Sequence, residues 1–147
     1  SLSFVVDAVE GPALMFYPRR HVTTQGTTIT FQVLAEEVTA LMAAEIHLEF
    51  DPSKIEIVSV TQGSLFQNGQ ESIFSYEIGS GSIEVLTTLL SSSAPSVSGT
   101  GDLIQIEVKS LQSGSTSISF NGSDVFRDPE NNDIIIIEKI NGRVDSQ

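Results

Sequence analysis

The chain has 147 residues, with 7 Lys plus Arg against 19 Asp plus Glu and a formal net charge of −12. Phosphate contacts need a basic face, so nucleic acid and anionic membrane surfaces are excluded as first partners. There is no cysteine, which removes disulfides, thiol nucleophiles and zinc–thiolate sites.

A chain of 15.8 kDa is the size of one domain and can bury about two thirds of its unfolded surface. No apolar run exceeds five residues (13–17 and 40–44, with Ile134 to Ile137 next), far short of the ~20 residues that a membrane helix needs, so membrane insertion is not expected. Residues 1–18 contain no Lys or Arg, and Asp7 and Glu10 break up the apolar stretch there, so this is not an intact signal peptide. An export signal, where one exists, is expected outside this sequence. Residues 1–11 read as a peripheral segment or linker remnant, and 12–147 as one domain.

Short apolar runs rich in Ser, Thr, Val and Ile alternate with polar residues, and Gly, Asn, Asp and Pro punctuate them. Strands are expected near 13–18, 27–35, 45–50, 55–61, 72–78, 82–90, 102–110, 115–121, 133–137 and 140–144. Turn signals between them include Gln25-Gly26, Asp51-Pro52, Asn68-Gly69, Gly79-Ser80-Gly81 and Asn121-Gly122. Residues 36–45 are good helix formers, but a loop running into a strand is preferred because strict alternation begins at Glu45. Residues 91–101 read as a low-complexity loop. About ten short strands at this spacing imply an antiparallel all-β sandwich or jelly roll.

Alternation also assigns faces. Ile46, Leu48 and Phe50 share one face of their strand, and Glu45, His47 and Glu49 share the other. Ile104, Ile106 and Val108 point inward, as do Ile118 and Phe120. Such half-polar strands suit antiparallel sheets with one wet face.

Catalytic motifs are missing. No Gly-x-Ser-x-Gly occurs, and the only histidines are His21, placed in a loop beside Arg19 and Arg20, and His47, between two glutamates. The histidine pairs of zinc sites are absent as well. Asp128-Pro129-Glu130-Asn131-Asn132-Asp133 is the best calcium candidate, but Glu130 and Asp133 stand where an EF-hand loop needs Asp or Asn and then Gly. A polar turn before a strand is the preferred reading, with calcium binding left open. Gly79-Ser80-Gly81 and Gly99-Thr100-Gly101 lack the third glycine of a phosphate loop and read as hairpin turns. With no Trp and two Tyr, a flat aromatic platform for sugar rings is hard to build.

Residues 45–66 are less generic. Glu45-Ile-His-Leu-Glu-Phe-Asp51-Pro52 followed by Ile55-Glu-Ile-Val-Ser-Val60 and Gly63 resembles the cohesin domain. In that family an alternating strand ends in Asp-Pro and a second apolar strand leads to a glycine. Gln25-Gly26 through Val33, Gly81 through Val85, Ser98 through Val108, Gly114 through Ile118 and Asn141 through Val144 resemble other family strands in the same order. The resemblance covers about residues 12–145. It implies a jelly-roll sandwich of about nine strands that binds a dockerin-bearing protein through one sheet face. It also implies that calcium belongs to the dockerin, with no cofactor and no catalysis on this side. The expected setting is an extracellular or cell-surface scaffold that organises polysaccharide-degrading enzymes, although some cohesins occur without such assemblies.

By resemblance, strands 45–50, 72–78, 82–90 and 115–121 form the binding sheet. Glu45, His47 and Glu49 then face outward, and Ser75 and Glu77 face outward opposite Phe74 and Tyr76. In 82–90 both phases contain apolar residues. Glu84, Leu86, Thr88 and Leu90 are taken as the outward set because it holds the charge, which exposes two leucines among polar residues. An acidic face of this kind calls for a partner bearing Lys or Arg, with salt-sensitive steering. His47 adds a pH response in the range where histidines titrate. A carbohydrate-binding jelly roll and a structural spacer of a surface protein are the competing functions.

Overall fold

The computed structural model describes residues 11–66, 71–90 and 95–147. The peripheral segment (apart from Gly11), the Asn68-Gly69 turn and the start of the serine loop lie outside the described residues. In chain order the strands are β1 (Ala13–Tyr17), β2 (Arg20–Thr23), β3 (Thr28–Leu41), β4 (Ala43–Glu49) and β5 (Ile55–Gln62). A 3-10 turn at Ser64–Phe66 follows. Then come β6 (Ser72–Ile78), β7 (Ser82–Leu89), β8 (Val97–Ser110), β9 (Gly114–Phe120) and β10 (Val125–Arg127). The last three are β11 (Asp133–Ile134), β12 (Glu138–Ile140) and β13 (Gly142–Ser146).

One sheet has the order β12-β1-β3-β8-β5. The other runs β6-β7-β4 on one side, and beyond β4 its far edge is shared by β9 near Leu48 and β10 near Ala44. β9 continues to β13 and β2, and β10 to β11. The inner faces of the two sheets bury Phe31 and Val33 of β3, Ile104 and Ile106 of β8, Ile46 and Leu48 of β4, and Ile83 and Val85 of β7. Each fully buried side chain of this kind contributes roughly 1.5–3 kcal/mol. The result is an all-β sandwich, as the alternation implies, with thirteen strands among the described residues rather than about nine.

The surplus comes mostly from short pieces. β2 takes in His21, expected in a loop, whose Nε2 lies 2.7 Å from the Thr30 carbonyl oxygen and whose ring meets Phe31 edge-on. β10 went unread because only three residues pair. Of residues 133–137 only Asp133–Ile134 is strand, and Glu138–Ile140 crosses to the other sheet to pair parallel with β1.

The expected loop over 36–44 is a correction. β3 continues to Leu41 through two bulges, with Glu37 and Ala40 both at φ 55°. The N–H of Glu37 donates to Thr100 Oγ1 and that of Ala40 to Ser98 Oγ, at 3.1 and 3.0 Å. These hydroxyls satisfy donors that the broken ladder leaves over, while Val38 and Leu41 stay buried. Burial in the sandwich thus overrides the local helix preference. For the same reason β8 begins at Val97, inside the stretch read as a loop.

Asp102 ties β8 to the 3-10 turn. Its Oδ1 accepts from the Ser64 N–H and hydroxyl, and its Oδ2 from Gln32 and Gln105. Burial pushes this carboxyl up, but the four hydrogen bonds more than offset it and hold it below its ordinary value.

Candidate functional site

The structure sets β6, β7, β4 and β9 side by side in that order. Antiparallel register then puts outward residues into rows across the strands. Glu77, Glu84 and His47 form one row. Ser75, Leu86 and Glu45 form the next, and Ile73, Thr88 and Ala43 the third. Directly opposite side chains share a face and lie close enough to interact.

Burial follows this phase on β7. Ile83, Val85, Thr87 and Leu89 are buried, Glu84 is exposed, Leu86 is 38% exposed and Leu90 is 42% exposed. Thr88 is half-buried. On β4, Glu45 and His47 are half-buried and Glu49 is exposed, paired with Ser82 on one side and Ser119 on the other. Ser75 and Glu77 are exposed. Tyr76, placed in the phase of inward Phe74, is 48% exposed. β6 is the last strand of its sheet and overhangs the core, so its inner face is only partly covered.

The first two rows enclose a shallow depression of ≈ 350 Å³. Glu45, His47, Ser75, Glu77, Glu84 and Leu86 line it. Glu49, Thr88 and Leu90 lie outside this depression, Thr88 and Leu90 towards the opposite end of β7 from Glu49. Glu45 Oε1 lies 3.7 Å from His47 Nε2, so this carboxylate leans along β4 towards the histidine.

Sequence reasoning missed Asp124, which sits at the edge of β4 in the gap between β9 and β10. Its side chain is fully buried, and Oδ1 accepts the His47 backbone N–H at 2.7 Å. Lys139 Nζ lies 3.0 Å from Oδ2, outside hydrogen-bond geometry, so that contact is an ion pair. The only local signal was a polar residue just after the Asn121-Gly122 turn.

The Asp128–Asp133 segment has the geometry of a turn. Asp128 Oδ1 accepts the N–H groups of Glu130 and Asn132, both at 2.9 Å, and Asn131 adopts φ 64°. Asp133 pairs with Arg127 at 2.7 Å. Among the described residues no cluster of three or more His, Asp or Glu side chains is placed to hold a metal ion.

The cohesin-domain family profile matches residues 20–144. A search of curated proteins returned no match. Among solved structures, the chain is similar to a non-cellulosomal cohesin from the archaeon Archaeoglobus fulgidus, with TM-score 0.74 and 23% identity over 90% of this chain and 88% of that one. It is similar to the sixth cohesin of Acetivibrio cellulolyticus scaffoldin B, solved with a Cel5 dockerin, with TM-score 0.75 and 18% identity over 92% and 98% of the two chains. A Clostridium thermocellum OlpA cohesin, solved with the Doc918 dockerin, gives TM-score 0.76 and 18% identity over the same shares. At such identities the structural likeness speaks for the fold, and the profile match over most of the length speaks for the family. The chain belongs to the cohesin family.

Proposed function

We propose that this domain is a non-catalytic recognition module that binds a calcium-loaded dockerin through the outward face of β6, β7 and β4. Two of the similar cohesins were solved as dockerin complexes, which supports the partner class. The observation that carries the reading is the exposure of Leu86 and Leu90 on a face otherwise lined by Glu45, His47, Glu77 and Glu84. Exposed aliphatic side chains inside a polar rim are the usual makings of a binding hot spot. Calcium belongs to the partner in this reading. An extracellular or cell-surface setting goes with it. Membership of a scaffold for polysaccharide-degrading enzymes is a narrower proposal, since one similar structure is described as non-cellulosomal.

The test is calorimetric titration with a panel of calcium-loaded dockerins, repeated in chelator. Tight binding that disappears on chelation supports the receptor role. Absence of binding across the panel contradicts it.

A further inference from the structure

Asp124 and Lys139 meet in a second depression of ≈ 220 Å³, whose wall is otherwise mostly apolar, with Val125, residues 134–136 and Asp133. The Asp124 side chain is fully buried and that of Lys139 is 27% exposed. Only one of the two carboxylate oxygens is hydrogen-bonded. Oδ1 accepts the His47 backbone N–H at 2.7 Å, while Oδ2 is buried with no hydrogen-bond partner. Lys139 Nζ stands 3.0 Å from that same Oδ2. A buried ion pair that lacks hydrogen-bond geometry offsets little of the desolvation of its charges.

The two residues are anchored in different sheets. Lys139 lies on β12, which pairs with β1, whereas Asp124 is fastened to β4 of the other sheet. The chain has no cysteine, so no disulfide can tie the sheets together.

We propose that Lys139 and Asp124 condense into an isopeptide bond that staples the two sheets. The ion pair is the state before reaction. One proton passes from Nζ to Oδ2 within the contact, leaving a neutral amine beside a carboxylic acid. Nζ then attacks Cγ, which is one bond away from the oxygen that it already touches. Negative charge develops on Oδ1, where the His47 N–H is in place to receive it, as in an oxyanion hole. A second proton moves from Nζ to Oδ2, the Cγ–Oδ2 bond breaks with its electron pair, and Oδ2 leaves as water. The new Nζ–Cγ amide is neutral. Nothing is oxidised or reduced, and no co-reactant is consumed.

Two physical arguments favour the product. Reacting groups held this close reach effective molarities of about 10⁵–10⁸ M, which opposes hydrolysis by bulk water. Condensation also expels the one buried oxygen that has no partner, removes both charges and keeps the His47 hydrogen bond on the amide oxygen. The bond closes the segment 124–139, which holds β10, β11 and the exposed Ile135 and Ile137. A closed loop restricts the unfolded chain, as a disulfide does.

The proposal is independent of the dockerin reading and is tested on the full chain by intact-mass measurement under denaturing conditions, fresh and after prolonged incubation. The native chain should be lighter than its sequence by one water. Trypsin should then fail to cut after Lys139 and release a branched peptide that joins residues 110–127 to residues 128–143. Lys139→Arg keeps the positive charge but has no lysine amine, so it should show the full sequence mass and no branched peptide. A native chain that keeps its full mass after incubation and is cut after Lys139 is an ion pair only and overturns the proposal. Loss of water that persists in Lys139→Arg places the condensation elsewhere and overturns it as well.

Discussion

The Asp124 carboxylate completes the backbone hydrogen bonding of His47, accepting its N–H at 2.7 Å from a buried position at the edge of β4. β10 pairs with β4 only as far as Glu45, and β9 joins it at Leu48. Between them the Asn121 N–H donates to the His47 carbonyl, and Asp124 stands in for the missing strand acceptor. At His47, therefore, one side chain replaces the ladder hydrogen bond on that edge of β4.

Asp124→Ala should leave a buried N–H without an acceptor and Lys139 without its counter-charge. The expected cost is about 2–4 kcal/mol. Asp124→Asn keeps an acceptor and should cost less. Denaturant unfolding of the two variants checks the order, and equal stability of Asp124→Ala and the native chain would refute the role.

Gly142→Ala probes packing between the sheets. A Cβ at position 142 would lie 2.6 Å from Cδ2 of the buried Phe16, whose ring also packs edge-on against Phe31 and Phe120 at 5.4 Å each. Overpacking of this kind costs about 1–3 kcal/mol. Combining it with Phe16→Leu should cost less than the sum of the two, because the smaller side chain makes room. Thermal unfolding of the single and double variants measures this.

Asp102 should make the fold acid-sensitive. Its folded carboxyl titrates below the ordinary 3.8, so it contributes stability that is present above that value. The contribution is lost as pH falls below 3.8 and through the lower folded value. Asp102→Asn should therefore be clearly less stable than the native chain at pH 7, and the gap should narrow at pH 3. A gap that does not change with pH would contradict the assignment.

Much of this architecture was readable from the chain and some was not. Strict alternation at Glu45–Phe50 and Ile104–Val108 revealed which face of each strand is buried, because the other side is wet. The single charge of Glu84 was enough to choose the outward phase in 82–90. β3 beyond Ala35 was not readable, since its bulges rest on Ser98 and Thr100, about sixty residues away. Asp124 was equally hidden, because its partner is a backbone N–H 77 residues distant and carries no side-chain signature. Short strands such as Val125–Arg127 contain too few residues for a period to show.

Leu86→Ala separates binding from folding. The residue is partly exposed, so stability should change by no more than about 0.5 kcal/mol. Dockerin affinity should fall at least tenfold, as for a hot-spot truncation. Val58→Ala, at an exposed position of β5, should change neither.

Association should be steered by charge. With Glu45, Glu49, Glu77 and Glu84 on one face, the association rate with a basic dockerin should fall as ionic strength rises. Stopped-flow measurements at low and physiological salt check this, and Glu84→Gln should flatten the dependence.

The most direct test of the recognition face is amide chemical-shift mapping of the labelled domain during titration with a calcium-loaded dockerin. The expected result is perturbation concentrated on β4, β6 and β7, strongest around His47, Glu84 and Leu86, with β1, β3, β8 and β5 little changed. Perturbation centred on the β1-β3-β8-β5 sheet, with Glu84 and Leu86 unmoved, would contradict it.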